Sequence, residues 1–235
     1  MGFFWLVVYG LLFFLPGWLR FSPAAAAVWR CAAPAVFWAA LLFFLRRRGR
    51  LRRYGLCRIS LPARRAGIAL APLALSPAVN MAASAAFGLS FAQVTPSAAV
   101  QTALLAFGEE FFFRGWLLSV LEGRLGRRGA AAATAAAFGL AHFVNVLSGT
   151  APGAAAVQAA CAGCFGLALA ASRFACGSVW PAAAAHILTN LTALPAGPAA
   201  AAANRAAALS CAAAAFYLGY GIFLLHRMDA AQNQK

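Results

Sequence analysis

The chain has 235 residues, of which 64% are hydrophobic and 10% are charged, and its mean hydropathy is +0.80. A water-soluble domain of this size would leave much of that apolar surface in water, so the composition excludes one and indicates a multi-spanning membrane protein. The formal net charge of +15 does not indicate nucleic-acid binding, because the arginines cluster between apolar segments, as the positive-inside rule describes.

The apolar segments predict about eight membrane-spanning helices, since roughly 20 apolar residues cross the hydrocarbon core. In chain order they are residues 1–19, 23–45, 67–89, 96–121, 130–147, 154–171, 179–194 and 199–225. We therefore expect an all-α, polytopic membrane helix bundle that forms a single integral-membrane domain over residues 1–235. Helices four to seven, within residues 96–194, carry the motifs described below. Residues 1–89 supply the N-terminal helices, and residues 199–225 supply the C-terminal one.

The basic residues predict the orientation of the bundle. Residues 46–65 alone contain nine arginines, which favours a cytoplasmic loop. With both termini in the cytoplasm, 15 of the 19 basic residues lie on that side. Arg20, Arg30 and Arg205 then lie near the outer side, and Arg114 lies within the membrane. The pattern predicts a multi-pass protein of a bacterial inner (plasma) membrane with both termini cytoplasmic.

The chain contains only four acidic residues, and two of them, Glu109 and Glu110, are adjacent in the fourth predicted span. A charged residue at bilayer depth costs about 2.5–3.5 kcal/mol on insertion scales, so it is retained mainly where it meets an interior partner, a pathway or a reaction. Glu110 and Arg114 have the favourable i, i+4 spacing, and we assign this pair to structural support. Glu109 projects about 100° away from Glu110. It is therefore expected to face a cavity as a candidate proton acceptor.

Two of the three histidines, His142 and His186, lie deep in the fifth and seventh predicted spans, at depths that can coincide with Glu109. Asn190 follows His186 by four residues, so the imidazole and the amide point the same way and could donate hydrogen bonds to a developing oxyanion. Phe138, one turn before His142, is expected to fix that ring by packing. A lone membrane histidine is often only a bridge between helices. Three motifs in three separate spans instead favour a shared site.

The chain resembles the CPBP intramembrane protease family, which includes the CAAX prenyl endopeptidases and bacteriocin-processing or self-immunity relatives. The resemblance covers about residues 107–191, and its motifs are Glu109-Glu110-x-x-x-Arg114, Phe138-x-x-x-His142 and His186-x-x-x-Asn190. It implies hydrolysis of a peptide bond in a membrane-embedded or membrane-adjacent substrate, such as a C-terminal anchor, a prenylated tail or a leader peptide. The implied partners are that peptide or membrane protein and the lipid bilayer, with no nucleic acid.

The resemblance also implies a role for each motif residue. Glu109 and His142 activate a water molecule, while His186 and Asn190 stabilise the oxyanion. The supporting residues are Glu110, Arg114 and Phe138.

Three alternatives to this interpretation stay open. No cofactor is expected, but a zinc-dependent version of the same hydrolysis would use Glu109, His142 and His186, because two histidines and a carboxylate form a known catalytic zinc set. A non-enzymatic scaffold or immunity protein could bind a partner through the same cavity. A proton-coupled transporter is disfavoured, because the chain shows no repeated halves.

Overall fold

The computed structural model describes residues 8, 15–16, 19–92, 94–194 and 199–232. The first predicted span, residues 1–19, therefore lies almost wholly outside the described residues, as does the predicted break at residues 195–198. The described part of the chain contains eight α-helices: α1 (Pro23–Arg47), α2 (Ala63–Leu70), α3 (Leu75–Phe87), α4 (Pro96–Glu110), α5 (Leu118–Ala141), α6 (Pro152–Cys176), α7 (Trp180–Thr192) and α8 (Ala199–Gln232). Shorter 3-10 helices are Arg52–Tyr54, Ala71–Ala74 and His142–Ser148, and a π-helix covers Phe111–Leu117.

The prediction of a membrane helix bundle is confirmed, but the count of eight spans is not. Five helical stretches in the described residues are long and apolar enough to cross a membrane: Pro23–Arg47, Ala63–Phe87, Pro96–Leu147, Pro152–Cys176 and Cys211–Met228. The third of these contains two of the predicted spans. Helix α7 is only 13 residues long, which is shorter than the roughly 20 residues that a perpendicular crossing requires.

The interval between the predicted spans 96–121 and 130–147 is helical except for a break at one glycine. Helix α5 runs through this segment, and Gly126 alone leaves the helical conformation, with φ 65° and ψ 177°. A positive φ is readily adopted by glycine because it has no Cβ atom. The break separates the two predicted spans without a loop.

Helix α6 is the centre of the bundle, with α5 on one side and α8 on the other. Small side chains let these helices approach closely, as is common between membrane helices. A Cβ atom added at Gly139 of α5 would lie only 2.5 Å from the carbonyl oxygen of Ala159 in α6. Ala168 and Ala170 of α6 are completely buried. Gly139 and the two alanines therefore allow the short distance between α6 and its neighbours, in addition to their effect on helix propensity.

Helices α1, α3 and α7 complete the packing around the acidic stretch. Trp38 of α1 makes edge-to-face contacts with Phe107 and Phe111, with ring centroids 5.2 and 5.3 Å apart. Helix α7 packs against both α4 and α3. The glutamates at the end of α4 consequently lie next to the helix that carries His186.

The arginine-rich segment between α1 and α2 is anchored to the turn between α6 and α7. The amide of Ser60 donates to the carbonyl of Cys176, and the amide of Val179 donates to the carbonyl of Gly55, both at 2.8 Å. The hydroxyl of Ser178 donates to the carbonyl of Cys57 at 2.7 Å. These bonds fix the start of α7 to the N-terminal part of the bundle.

Candidate active site

Glu110 and Arg114 form a completely buried ion pair, with Arg114 Nη1 2.6 Å from Glu110 Oε1. The pair follows the spacing that the sequence indicates, although Arg114 lies in the π-helix that begins directly after Glu110. Such π-helical turns are rare and often occur at functional sites. The guanidinium of Arg114 also lies over the ring of Phe138, 4.2 Å from its centroid. The pair therefore connects α4 to α5.

His186 is also buried, at 3% exposure, and it binds the same carboxylate oxygen. Its Nδ1 lies 2.9 Å from Glu110 Oε1. An ionised carboxylate only accepts hydrogen bonds, so Nδ1 carries the proton and donates it. Glu110 thus orients the His186 ring in addition to pairing with Arg114, a contact that the sequence did not indicate.

The other ring nitrogen of His186, Nε2, lies near the side chains of Asn190 and Glu109. Asn190 Nδ2 lies 3.2 Å from His186 Nε2, and Glu109 Oε2 lies 3.7 Å from the same atom. When His186 is neutral, Asn190 donates one amide hydrogen to Nε2 and keeps its second hydrogen for another acceptor. The site therefore holds a free amide donor next to a carboxylate.

Glu109 is turned differently from its neighbour. Its side chain is 31% exposed, whereas that of Glu110 has no exposed surface, because α4 packs against α7 along the face that carries Glu110. Glu109 interacts electrostatically with both His186 and His142. It is not among the described residues that line the cavity beside His186, which differs from the expectation that it faces a cavity. Glu109 instead approaches the site through the imidazole of His186.

His142 begins the 3-10 segment that follows α5, and its ring is fixed on one side. Nδ1 donates to the carbonyl of Phe138 at 2.9 Å, because a carbonyl oxygen can only accept. The ring also packs edge-on against Phe138, with centroids 4.9 Å apart. A neutral His142 therefore presents Nε2 as a proton acceptor. Phe138 contacts the ring of His186 as well, at 5.5 Å, so one aromatic side chain packs against both histidines.

A cavity of about 180 Å³ lies against these groups. Its lining includes Phe138, His142, His186 and Asn190, together with polar side chains from α3, α6 and α8. The polar lining residues to which the sequence assigned no role are Ser76, Asn80, Gln158, Thr189 and Tyr217. Asn80 was visible in the sequence as an isolated amide in an apolar segment. The helix that carries Tyr217 lies outside the stretch of the resemblance, so nothing indicated that it reaches the site.

Asn80 and Tyr217 each hold backbone near the cavity. Asn80 Nδ2 donates to the carbonyl of Thr189 at 2.9 Å and to Thr192 Oγ1 at 3.2 Å, so α3 supports the last turn of α7. The hydroxyl of Tyr217 accepts from the amide of Ser76 at 2.9 Å.

The proposed zinc ligands do not form a metal site in this arrangement. Among the described residues, no group of three histidine, cysteine or acidic side chains is placed to hold a metal ion. Nδ1 of His186 is occupied by Glu110, and Nε2 faces the amide of Asn190. The Nδ1 atom of His142 is occupied by a backbone carbonyl. Of these bonds, the one from Asn190 occupies the Nε2 atom through which His186 would bind a zinc ion.

Residues 91–192 match the family model described as type II CAAX prenyl endopeptidase Rce1-like, and this segment contains all three motifs. The searches of curated proteins and of solved structures each found no match to the chain.

Proposed function

We propose that the chain belongs to the family whose model matches residues 91–192, type II CAAX prenyl endopeptidase Rce1-like, and that its site hydrolyses a peptide bond with a water molecule activated by Glu109 and His142. The substrate is a membrane-embedded or membrane-adjacent chain, such as a C-terminal anchor, a prenylated tail or a leader peptide. The observation that carries the proposal is the 3.7 Å approach of Glu109 Oε2 to His186 Nε2. It brings a partly exposed carboxylate to the buried polar cluster of α4 and α7.

In the proposed reaction the water gives its proton to the Glu109 and His142 pair while its oxygen attacks the carbonyl carbon. His142 suits this role, because its Nδ1–H donates to the carbonyl of Phe138, which leaves the lone pair of the neutral ring on Nε2. The same pair then returns the proton to the leaving amine as the C–N bond breaks. The net change is hydrolysis of one amide, without an external acid or base.

The oxyanion is stabilised by donors from α7 in this proposal. Asn190 has one amide hydrogen left after it binds His186, and that hydrogen can donate to the developing negative charge. His186 adds a second donor at Nε2 when it is protonated. Glu110 holds His186 in place in either state, so the donors are positioned before the substrate binds.

The test compares Glu109→Gln with the matched variant Glu122→Gln, which removes a half-exposed carboxylate at the Arg127 ion pair. Membranes of cells that produce wild-type or variant protein are compared by mass spectrometry of their peptides. Loss of a general base lowers a rate by roughly 10²–10⁴-fold, so peptides that wild-type protein removes should persist with Glu109→Gln. Full activity of Glu109→Gln, with its fold intact, rules out this carboxylate as the base.

We also propose that the reaction proceeds without a metal ion, with zinc as the alternative. The hydrogen bond from Asn190 to Nε2 of His186 supports this, since a zinc ion would need that same nitrogen. Purified protein is treated with a chelator, analysed for metal and assayed. Loss of activity that zinc restores would establish the metal-dependent alternative.

A binding role without chemistry is the second class to be separated. A scaffold or immunity protein would keep its function in the double variant Glu109→Gln/His142→Ala, whereas a hydrolase would lose it.

We also propose the orientation of the chain in the membrane, with both termini in the cytoplasm. Reporter fusions at the C-terminus that are active only outside the cytoplasm should remain inactive.

A further inference from the structure

A second, larger cavity lies between α2 and α8, away from the candidate active site. Its volume is about 1070 Å³, slightly above the usual range of roughly 300–1,000 Å³ for ligand pockets. Most of its lining is apolar, and two large side chains there are strongly exposed: Ile68 at 69% and Phe223 at 54%. Arg65 and Arg227 also line it, and none of its described lining residues is acidic.

Two tyrosine contacts determine how the walls of this groove are arranged. The hydroxyl of Tyr220 donates to the carbonyl of Ala69, and that of Tyr217 donates to the carbonyl of Leu73 at 3.3 Å. As the residue number rises along α8, its partner number falls, so the two walls are antiparallel. The C-terminal part of α8 therefore lies beside the start of α2.

This register places both arginines at one end of the groove. Arg227 follows Tyr220 by two turns on α8, and Arg65 precedes Ala69 by one turn on α2. The guanidinium of Arg227 lies over the ring of Phe223, 5.5 Å from its centroid, which keeps it against the groove wall. The opposite end of the groove is formed by apolar residues such as Pro72 and Phe216.

The basic end lies on the side of the arginine-rich segment before α2, which the sequence predicts to be cytoplasmic. That leaflet carries anionic lipids, which attract basic residues near its surface. Arginine recognises phosphate through two parallel hydrogen bonds, and long basic side chains extend their charged heads toward the interface while their stems cover apolar surface. A phosphate group at the arginine end, followed by acyl chains along the apolar part, matches both halves of the groove.

We propose that the groove between α2 and α8 is a binding site for an anionic phospholipid, whose headgroup phosphate binds Arg65 and Arg227 and whose acyl chain lies along Ile68 and Phe216. The site is separate from the hydrolytic cavity, and a Glu109→Gln variant keeps it. Bound lipid joins α8 to the start of α2 and so stabilises the bundle against unfolding.

The test uses the full chain in nanodiscs made of phosphatidylcholine with phosphatidylglycerol, followed by native mass spectrometry of the released protein. Wild-type protein should retain phosphatidylglycerol in preference to phosphatidylcholine. The double variant Arg65→Gln/Arg227→Gln should lower the affinity for phosphatidylglycerol by about tenfold or more, as expected from two basic contacts. Equal retention of the two lipids by the wild type overturns the proposal.

Two further variants separate the groove from general surface charge. Arg52→Gln/Arg53→Gln removes the same charge from exposed positions in the preceding segment and should leave retention unchanged. Gly219→Phe fills the groove without changing the charge, since nothing lies within 4 Å of a Cβ atom at Gly219, and it should lower retention. Equal loss in the Arg52/Arg53 variant, or full retention by Gly219→Phe, contradicts a site in this groove.

A competition experiment separates a lipid from free phosphate. Glycerol 3-phosphate has the phosphate without the acyl chains, so at equal concentration it should not displace phosphatidylglycerol. Efficient displacement overturns the lipid proposal and identifies a simple phosphate site. Thermal unfolding supplies an independent reading, because phosphatidylglycerol should raise the Tm of wild-type protein and not that of Gly219→Phe.

Discussion

Glu110 accepts a hydrogen bond from His186 through the same oxygen that pairs with Arg114, at 2.9 and 2.6 Å. One carboxylate oxygen therefore joins three elements: α4, the π-helix and α7. The sequence assigned Glu110 only to the support of its own helix. The contact with His186 makes it a positioning residue for the imidazole as well.

The first prediction concerns the stability of this buried pair. Glu110→Gln leaves Arg114 buried without a counter-charge, which typically costs about 3–5 kcal/mol. The unfolding transition of the purified protein in detergent should therefore shift strongly to lower temperature. Glu122→Gln is the matched control, because its half-exposed ion pair with Arg127 is worth only about 0–1 kcal/mol.

A compensating variant tests the cause of that loss. Glu110→Gln/Arg114→Met removes both charges and should recover much of the stability, since no buried charge is then left without its partner. Cleavage should remain reduced, because the glutamine no longer holds the Nδ1 proton of His186 as a carboxylate does. A Glu110→Gln protein that unfolds like wild type would contradict the role of this pair.

The second prediction concerns the amide of Asn190. Asn190→Ala should lower kcat by about 10²–10³-fold, the usual effect of removing one oxyanion donor, with little change in Tm. Asn145→Ala is the control, because this amide links the 3-10 helix His142–Ser148 to α6 through Gln158 at 2.9 Å and belongs to no proposed catalytic group. Similar rates for the two variants would show that Asn190 is not an oxyanion donor.

The third prediction concerns Gly166 in α6. An added Cβ atom there would lie 2.8 Å from Arg114 Nη2 and 3.1 Å from a ring carbon of Phe138. Gly166→Ala should therefore displace the guanidinium and destabilise the protein by about 1–3 kcal/mol, as other overpacked cores do. Chemical denaturation in detergent measures this loss.

Gly163→Ala is the natural comparison, one turn earlier on the same helix. Its nearest neighbour would be the carbonyl oxygen of Ala135 at an ordinary 3.6 Å, and alanine favours a helix over glycine by roughly 1 kcal/mol. The substitution should be neutral or stabilising. If both variants behave alike, the close packing of Gly166 against the ion pair is not what limits stability.

The fourth prediction concerns Asn80, which reaches the last turn of α7 from α3. Asn80→Ala removes both of its hydrogen bonds, each worth about 0.5–1.5 kcal/mol. It should lower Tm and reduce cleavage, because α7 carries His186 and Asn190. Thr192→Val removes only the weaker partner and should have the smaller effect on both readouts. The reverse order would exclude Asn80 as a support for α7.

The sequence predicted the features that depend on local spacing and composition. The apolar segments gave the helical membrane bundle, and the i, i+4 spacing gave the contact of Glu110 with Arg114. The three motifs also identified the family, which the match over residues 91–192 bears out. Each of these follows from residues close together in the chain or from the order of the motifs.

The features that were missed depend on packing between distant segments. The π-helix at Phe111–Leu117 has the same apolar pattern as an α-helix, so periodicity could not reveal it. The bond between Glu110 and His186 spans 76 positions, and the support from Asn80 spans 109. The distribution of charged residues likewise cannot show that the helix continues through residues 122–129 with a break only at Gly126. Such relationships arise only when helices are placed side by side.

The hydrogen bond from the amide of Val179 to the carbonyl of Gly55 limits how far the chain can be shortened. A truncated protein that begins at residue 91 would retain every motif, yet it would lose the backbone partner immediately before α7. It would also lack Asn80 at the far end of that helix. Residues outside the matched segment 91–192 therefore hold both ends of α7, the helix that carries His186. We expect the smallest fragment that keeps the proposed activity to include them.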